Sequence, residues 1–297
     1  MAKAKAAEAP RLDTQMKRRG QFHEVWRRFR RNHLAMLGLV IAALLVLVAI
    51  FAPVISPYDP NLIDPINRLQ MPSRAHLLGT DNYGRDLLSR LIYGTRVSLG
   101  VSLLGLVIAL AISILFGATA GYFGGRYENV LMRLTDILMC IPGVLLAVSI
   151  SALLGVGVVN TAIAIAVSGV APAIRMLRAT VMQIREQEYV EAARATGSRN
   201  GRIIFKQILP NTLSPIIVDS TMRIGGNILQ ISSLSFIGLG VQPPTSEWGS
   251  ILSSGQEFIT TFWPLITFPG VAIVLTVFAF NVMGDGLRDA LDPRMKQ

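Results

Sequence analysis

LAMLGLVIAALLVLVAIFA, residues 34–52, carries no charged side chain. Lipid offers no partner to backbone N–H and C=O groups, so a segment that crosses it must be a helix of about 20 mostly apolar residues. This run meets that demand and reads as a transmembrane helix. It begins too late and is too long for a cleavable signal peptide, and no clear small-residue cleavage pattern accompanies it, so it is expected to remain as an anchor. Five more segments follow the same logic: Val97 to Ala120, Ile137 to Leu154, Val158 to Ile174, Pro215 to Val241 and Phe262 to Met283. The third and fourth spans of the set are joined only by Gly155-Val156-Gly157. They read as a tight helical hairpin, since one helix of their combined length would far exceed the bilayer. A mean hydropathy of +0.50 and a charged share of 15% over 297 residues agree with an all-α integral membrane protein of six transmembrane helices, not a soluble domain.

A net charge of +10 raises nucleic acid as a partner, but the placement of the basic residues argues against it. Ten Lys/Arg precede Leu34, Arg126 and Arg133 follow the second span, seven lie between Arg175 and Lys206, and three lie in the C-terminal tail. The loop from Pro53 to Arg96 holds five, offset by Asp59, Asp64, Asp81 and Asp86. Positive charge collects on cytoplasmic loops, so both termini are expected in the cytoplasm. RRFRRNH, residues 27–33, is expected against anionic lipid headgroups. The resulting organisation is a basic cytoplasmic tail (1–33), a first transmembrane helix (34–55), an extracytoplasmic loop (56–96), a five-helix core (97–287) whose cytoplasmic loop spans 182–210, and a C-terminal tail (288–297).

Within that loop stands EYVEAARATG, residues 188–197. Arg185, Glu186, Glu188, Glu191 and Arg194 would each cost about 2.5–3.5 kcal/mol at a membrane-helix centre, which keeps the segment in water. Ala192, Ala193 and Ala195 favour a helix, and Gly197 is placed to stop it. Ser198 is expected to cap a second helix running through Ile203, Ile204 and Ile208 to Pro210. Long loops with their own structure are uncommon and usually functional. Adjacent alanines at 192 and 193 would let another protein approach closely, with Glu191 meeting a basic rim.

Glu191-Ala192-Ala193, then Gly197 after three residues, then Leu209-Pro210, resembles the EAA loop of bacterial ABC importer permeases. The family pattern usually has isoleucine two places before that leucine; Gln207 stands there and Ile208 follows it. HLLGTDNYGRDLLSRLIYGTRVSL (76–99), AGYFGG (120–125), LGVQPPTSEWG (239–249) and FNVMGDGLRDALDPR (280–294) are similar to the C-type permease subunit of dipeptide, oligopeptide and nickel importers. The resemblance implies a type I importer permease fold in the bacterial inner membrane. It further implies that Glu191, Ala192, Ala193, Gly197, Leu209 and Pro210 form a coupling element docked on an ATPase. The implied partners are a homologous B-type permease in a heterodimer, two ATP-binding cassette subunits, an extracytoplasmic solute-binding protein and membrane lipid. No G-x-x-x-x-G-K-[ST] loop is present, so this chain is expected to be no enzyme, with ATP and Mg held by the partner subunits. Peptides, dipeptides or glutathione among them, rank first as cargo; nickel or another small solute is the alternative.

The remaining features read more plainly. Cys140 is expected to pack inside an apolar helix, and His23, His33 and His76 form no ligand cluster. Gly117 and Gly121 make a G-x-x-x-G pair, expected to serve internal packing before partner contact. Leu87, Leu88, Leu91 and Ile92 predict an amphipathic collar with Arg85, Asp86 and Arg90 on its outer side. Pro243-Pro244 and Trp248 are expected at the outer interface as a structural corner. Asp219 and Arg223 stand one turn apart inside a span and are expected to neutralise each other, while Asn227 is expected to bond a neighbouring helix. A secondary transporter would show repeated halves and broken-helix ion sites. A membrane enzyme would need catalytic side chains at membrane depth. Neither signature is found.

Overall fold

The structure, a computed structural model, describes residues 21–291. Its helices are α1 (Gln21–Arg31), α2 (His33–Ile55), α3 (Leu87–Phe123), α4 (Gly125–Met139), α5 (Gly143–Leu154), α6 (Val158–Arg185), α7 (Glu188–Ala195), α8 (Asn200–Ile203), α9 (Leu209–Phe236), α10 (Trp248–Ser254) and α11 (Pro264–Leu291). Among the described residues α2, α3, α6 and α11 are long and apolar enough to cross a bilayer, and the bent pair α4–α5 makes a fifth crossing if taken as one span.

Three boundaries differ from the sequence reading. The segment from Ile137 to Leu154 is not one helix: α4 ends at Met139, α5 starts at Gly143, and their axes differ by 86°. Pro142 lacks an N–H and disfavours helical geometry in the residue before it, so the break falls there. Cys140 therefore lies exposed at the end of α4 and not within an apolar helix. The second span begins at Leu87 and not Val97, because Asp86 caps α3 by accepting from the Ser89 amide at 2.8 Å. At 37 residues α3 is about 55 Å long, so its first turns project well beyond a hydrocarbon layer of about 30 Å. The fifth segment, α9, starts at Leu209 and runs through Pro215 without stopping.

The core is set by small residues. A Cβ on Gly117 would lie 2.9 Å from the Ile174 carbonyl oxygen, and one on Gly121 would lie 2.8 Å from that of Arg178. The G-x-x-x-G pair thus seats α3 directly on the backbone of α6 inside the same chain, as expected. Gly38 does the same for α2 on α11, where a Cβ would meet the Ala279 carbonyl at 2.6 Å. The other side of α2 exposes Leu37, Val40, Leu44, Leu47 and Phe51, an apolar surface suited to lipid. α1 folds back so that Phe29 is buried beside Ala35 and Ala290, with Arg27, Arg30 and Arg31 exposed.

Candidate functional site

The helix that opened the question of function is α7. Val190 and Ala193 face inward and are buried in an apolar cluster with Tyr122, Leu177, Val181, Ile203 and Ile208. Glu188, Tyr189, Glu191, Ala192 and Arg194 face outward. The two alanines therefore divide their work: Ala192 lies on the open face, whereas Ala193 packs against α7's own foundation. Neither Glu188 nor Glu191 forms an ion pair among the described residues, which leaves two carboxylates on the outer face.

Gly197 ends α7 at φ +76°, where an L side chain is strained. Its amide donates to the Arg194 carbonyl at 3.0 Å, and the Ser198 amide reaches the Ala193 carbonyl at 3.0 Å. These two bonds form a Schellman cap, which satisfies carbonyls the helix end would leave open. The chain then turns into α8.

The second helix departs from expectation at both ends. Its N-cap is Arg199, without a side-chain bond, and Ser198 does not cap it. It does not stop at Pro210 but passes through a wider π-turn, Ile204–Ile208, into α9. Pro210 lacks an N–H and its ring would crowd the carbonyl four residues back; the wider turn makes room. Leu209 is half-buried and Pro210 exposed along this single path from the loop into the bundle. α8, the π-turn and α9 thus follow one another without an intervening loop.

Residues the sequence reading passed over hold this assembly to the spans. Tyr122 Oη donates to Asn200 Oδ1 at 2.9 Å, and the Arg194 guanidinium lies 5.2 Å from the centre of the Tyr122 ring. Arg185 Nη1 donates to the Gly121 and Tyr122 carbonyls, both at 3.2 Å. Arg178 pairs with Glu128, tying α6 to α4. The AGYFGG stretch holds Tyr122, but no local pattern announces its partner Asn200, 78 residues away.

At the opposite end of the bundle, the expected collar is inverted. Arg85, Asp86 and Arg90 are buried, not outward-facing, and Leu87 is buried beside them. Asp81 accepts from Arg85 Nε at 2.7 Å and Arg90 Nη1 at 2.5 Å, while Asp86 accepts from His76 and Ser89. The charges can be buried because both guanidinium groups pair with Asp81, a solution that helical periodicity does not reveal. Trp248 is also buried, not interfacial: its Nε1 donates to the Leu91 carbonyl at 3.1 Å, and its ring sits against Gly94.

Glu247 lies between α9 and α10, fully buried. It caps α10 by accepting from the Ser250 amide at 2.9 Å, and Ser98 of α3 donates to it at 3.2 Å. Burial pushes its carboxyl above the usual carboxylate range, against the opposing pull of the Gly249 and Ser250 amides. A folded-state pKa raised above the unfolded one gives stability that is full below the unfolded pKa, about 4.3, and declines as pH rises through the folded value. The resistance of the detergent-solubilised protein to thermal unfolding is therefore expected to weaken as pH rises over that window. Glu247→Gln is expected to flatten this dependence; an unchanged slope would remove Glu247 as its source.

The model for "Binding-protein-dependent transport system inner membrane component" matches residues 113–297, and that for "N-terminal TM domain of oligopeptide transport permease C" matches residues 20–72. The chain is 44% identical over 275 residues to the dipeptide transport system permease protein DppC of Alkalihalophilus pseudofirmus, covering 93% of this chain and 90% of that protein. It is 44% identical over 294 residues to the di/tripeptide transport system permease protein DppC of Pseudomonas aeruginosa, covering 97% of each. It is also 44% identical to the glutathione transport system permease protein GsiD of Escherichia coli, covering 94% of this chain and 92% of that one. A chain of the MetNI methionine ABC transporter shares the fold, with a TM-score of 0.55 at 18% identity over 68% of this chain and 97% of that one.

Proposed function

This chain belongs to the family of binding-protein-dependent transport system inner membrane components, and on that premise we propose that it forms half of the translocation path of an ATP-driven peptide importer. The observation that carries the reading is α7: an exposed acidic face on a capped helix that the Gly197 turn joins to the continuous helical path of α8 and α9. In this reading Glu191 and Ala192 meet an ATPase groove, Ala193 seats α7 on its own chain, and Gly197, Leu209 and Pro210 carry the movement into the bundle. The chain hydrolyses nothing itself; two partner ATPase subunits bind ATP and Mg, and one B-type permease completes the path. An extracytoplasmic binding protein delivers cargo.

The same reading assigns six spans, with α4–α5 as a broken crossing and α9 as a crossing that is long enough at 28 residues but more polar than the rest. It places both chain ends and α7 in the cytoplasm, with α1 lying on the inner leaflet through its arginines. The tails at 1–20 and 292–297 lie outside the described residues. Dipeptides, tripeptides and glutathione rank as cargo on the names of relatives at 44% identity.

Gentle purification from native membranes is expected to recover a second permease and ATPase subunits with this chain. Uptake by the reconstituted assembly is expected to require ATP and binding protein. Transport by this chain alone, without ATP, would replace this reading with that of a secondary transporter.

A further inference from the structure

α9 exposes Leu213, Ile217 and Leu229 as α2 exposes its own apolar side chains, but it also carries a half-buried polar stripe that α2 lacks. Asp219, Arg223, Gln230 and Ser233 recur at helical spacing on one side of α9, where the corresponding lipid-facing side of α2 is wholly apolar. Gly226 lies in the same stripe, and a Cβ there would meet no atom within 4 Å. The Asp219 and Arg223 side chains remain 30% and 21% exposed, near the middle of α9. Ionisable groups at membrane depth are costly against hydrocarbon and face an aqueous path or a protein partner instead.

The stripe runs beside α6. Arg223 pairs with Asp219 and also donates through Nη1 to the Gly169 carbonyl at 3.3 Å; Gln230 Nε2 donates to the Gly143 carbonyl at 3.2 Å. Next to it, towards α8, opens a cavity of about 550 Å³, within the size range of small-molecule sites; Thr180, Ser214, Asp219 and Arg288 line it, and Arg223, one turn beyond Asp219, stands outside its lining. Arg223 has five N–H donors, and Asp219 and Gly169 occupy only some of them.

We propose that Asp219 and Arg223 read the charged ends of a zwitterionic cargo in transit, Arg223 holding its carboxylate and Asp219 its ammonium. This rests on the peptide-importer reading and adds the residues that discriminate. A short peptide with free ends brings both charges to membrane depth, and each must be compensated there. Side chains at i and i+4 are about 5–6 Å apart at Cβ, and an extended dipeptide spans about 7 Å, so one pair can serve both ends. Exchange is balanced: the resting Asp–Arg pair opens, two cargo–protein pairs form, and the original pair re-forms on release. A bare metal cation would meet a single carboxylate beside a guanidinium, and among the described residues no group of three metal-ligating side chains exists.

The test uses the complete transporter in proteoliposomes, with saturating binding protein and labelled dialanine, its C-terminal amide and its N-acetyl form. Arg223→Gln is expected to lower dialanine uptake about tenfold relative to wild type, the weight of one charged hydrogen bond, while leaving uptake of the amide at its wild-type level. Asp219→Asn is expected to do the same for dialanine against the N-acetyl form, and Arg223→Lys to retain the wild-type pattern. Binding-protein-stimulated ATP hydrolysis reports assembly, and Asp219→Asn decides the matter if Arg223→Gln does not assemble. Equal effects on all three cargoes, or none on any, would overturn the assignment. Failure of the wild-type complex to import dialanine at all would instead overturn the proposed function.

Discussion

Asp81→Ala is expected to lower the unfolding free energy by about 3–5 kcal/mol, the range found when one partner of a buried ion pair is removed. Asp81 is fully buried and accepts four bonds: from Arg85 Nε, Arg90 Nη1 and the amides of Tyr83 and Arg85. Arg85 Nη2 and Arg90 Nε and Nη2 are buried without partners among the described residues, so the carboxylate answers for two guanidinium charges at once. Its loss would leave both in a low-dielectric setting with no counter-charge, a large share of a typical net stability of about 5–15 kcal/mol. Thermal unfolding of the purified complex, or the yield of assembled transporter, measures the effect. Asp59→Ala, at an exposed position of the same loop, is the control and is expected to change stability by about 0.5 kcal/mol or less. Equal stability of the two variants would show that solvent or a partner compensates the arginines.

Gly197→Leu is expected to abolish peptide uptake in an assembled transporter while ATP hydrolysis continues, and Glu191→Lys to do the same by reversing the charge of the outer face of α7. No atom lies within 4 Å of a Cβ at Gly197, so leucine meets no steric block. The penalty is backbone strain at φ +76°, about 1–2 kcal/mol, which the local turn can relieve by abandoning the Schellman cap. That relief would let α7 reorient on α8, and the route into α9 would be lost without unfolding the spans. Gly201→Ala, in an α-helical and equally open position, is the matched control and is expected to transport normally. Normal uptake by an expressed and assembled Gly197→Leu transporter would remove α7 from the coupling path.

Some of this was legible from single residues. The apolar runs around Leu37, Leu104 and Val274 announced membrane helices because hydrocarbon imposes a local, additive demand on each segment. Gly197 marked the end of α7 for an equally local reason, since only the backbone of that residue has to adopt positive φ. Pro210 misled for the opposite reason: proline ends most helices, but here the preceding five residues widen to a π-turn and carry the helix on. Arg85 and Arg90 misled because their amphipathic spacing is compatible with an outward charged face, and nothing local records that Asp81 waits on the inside.

By itself, then, the chain's order of residues determined its solvent, its helical class, and the position of the α7 cap, all of which depend on short-range chemistry. Tertiary structure alone decided which charges are buried, that Trp248 seals α3 against α10, that Ala192 and Ala193 face opposite ways, and that the polar stripe of α9 lies open beside α6. The placements of Trp248 and of the α9 stripe turn on pairings between residues distant in the chain, Trp248 with Leu91 and Arg223 with Gly169, and the buried charges on the fold of the loop around Asp81; in each case the free energy exists only once the chain has been brought together.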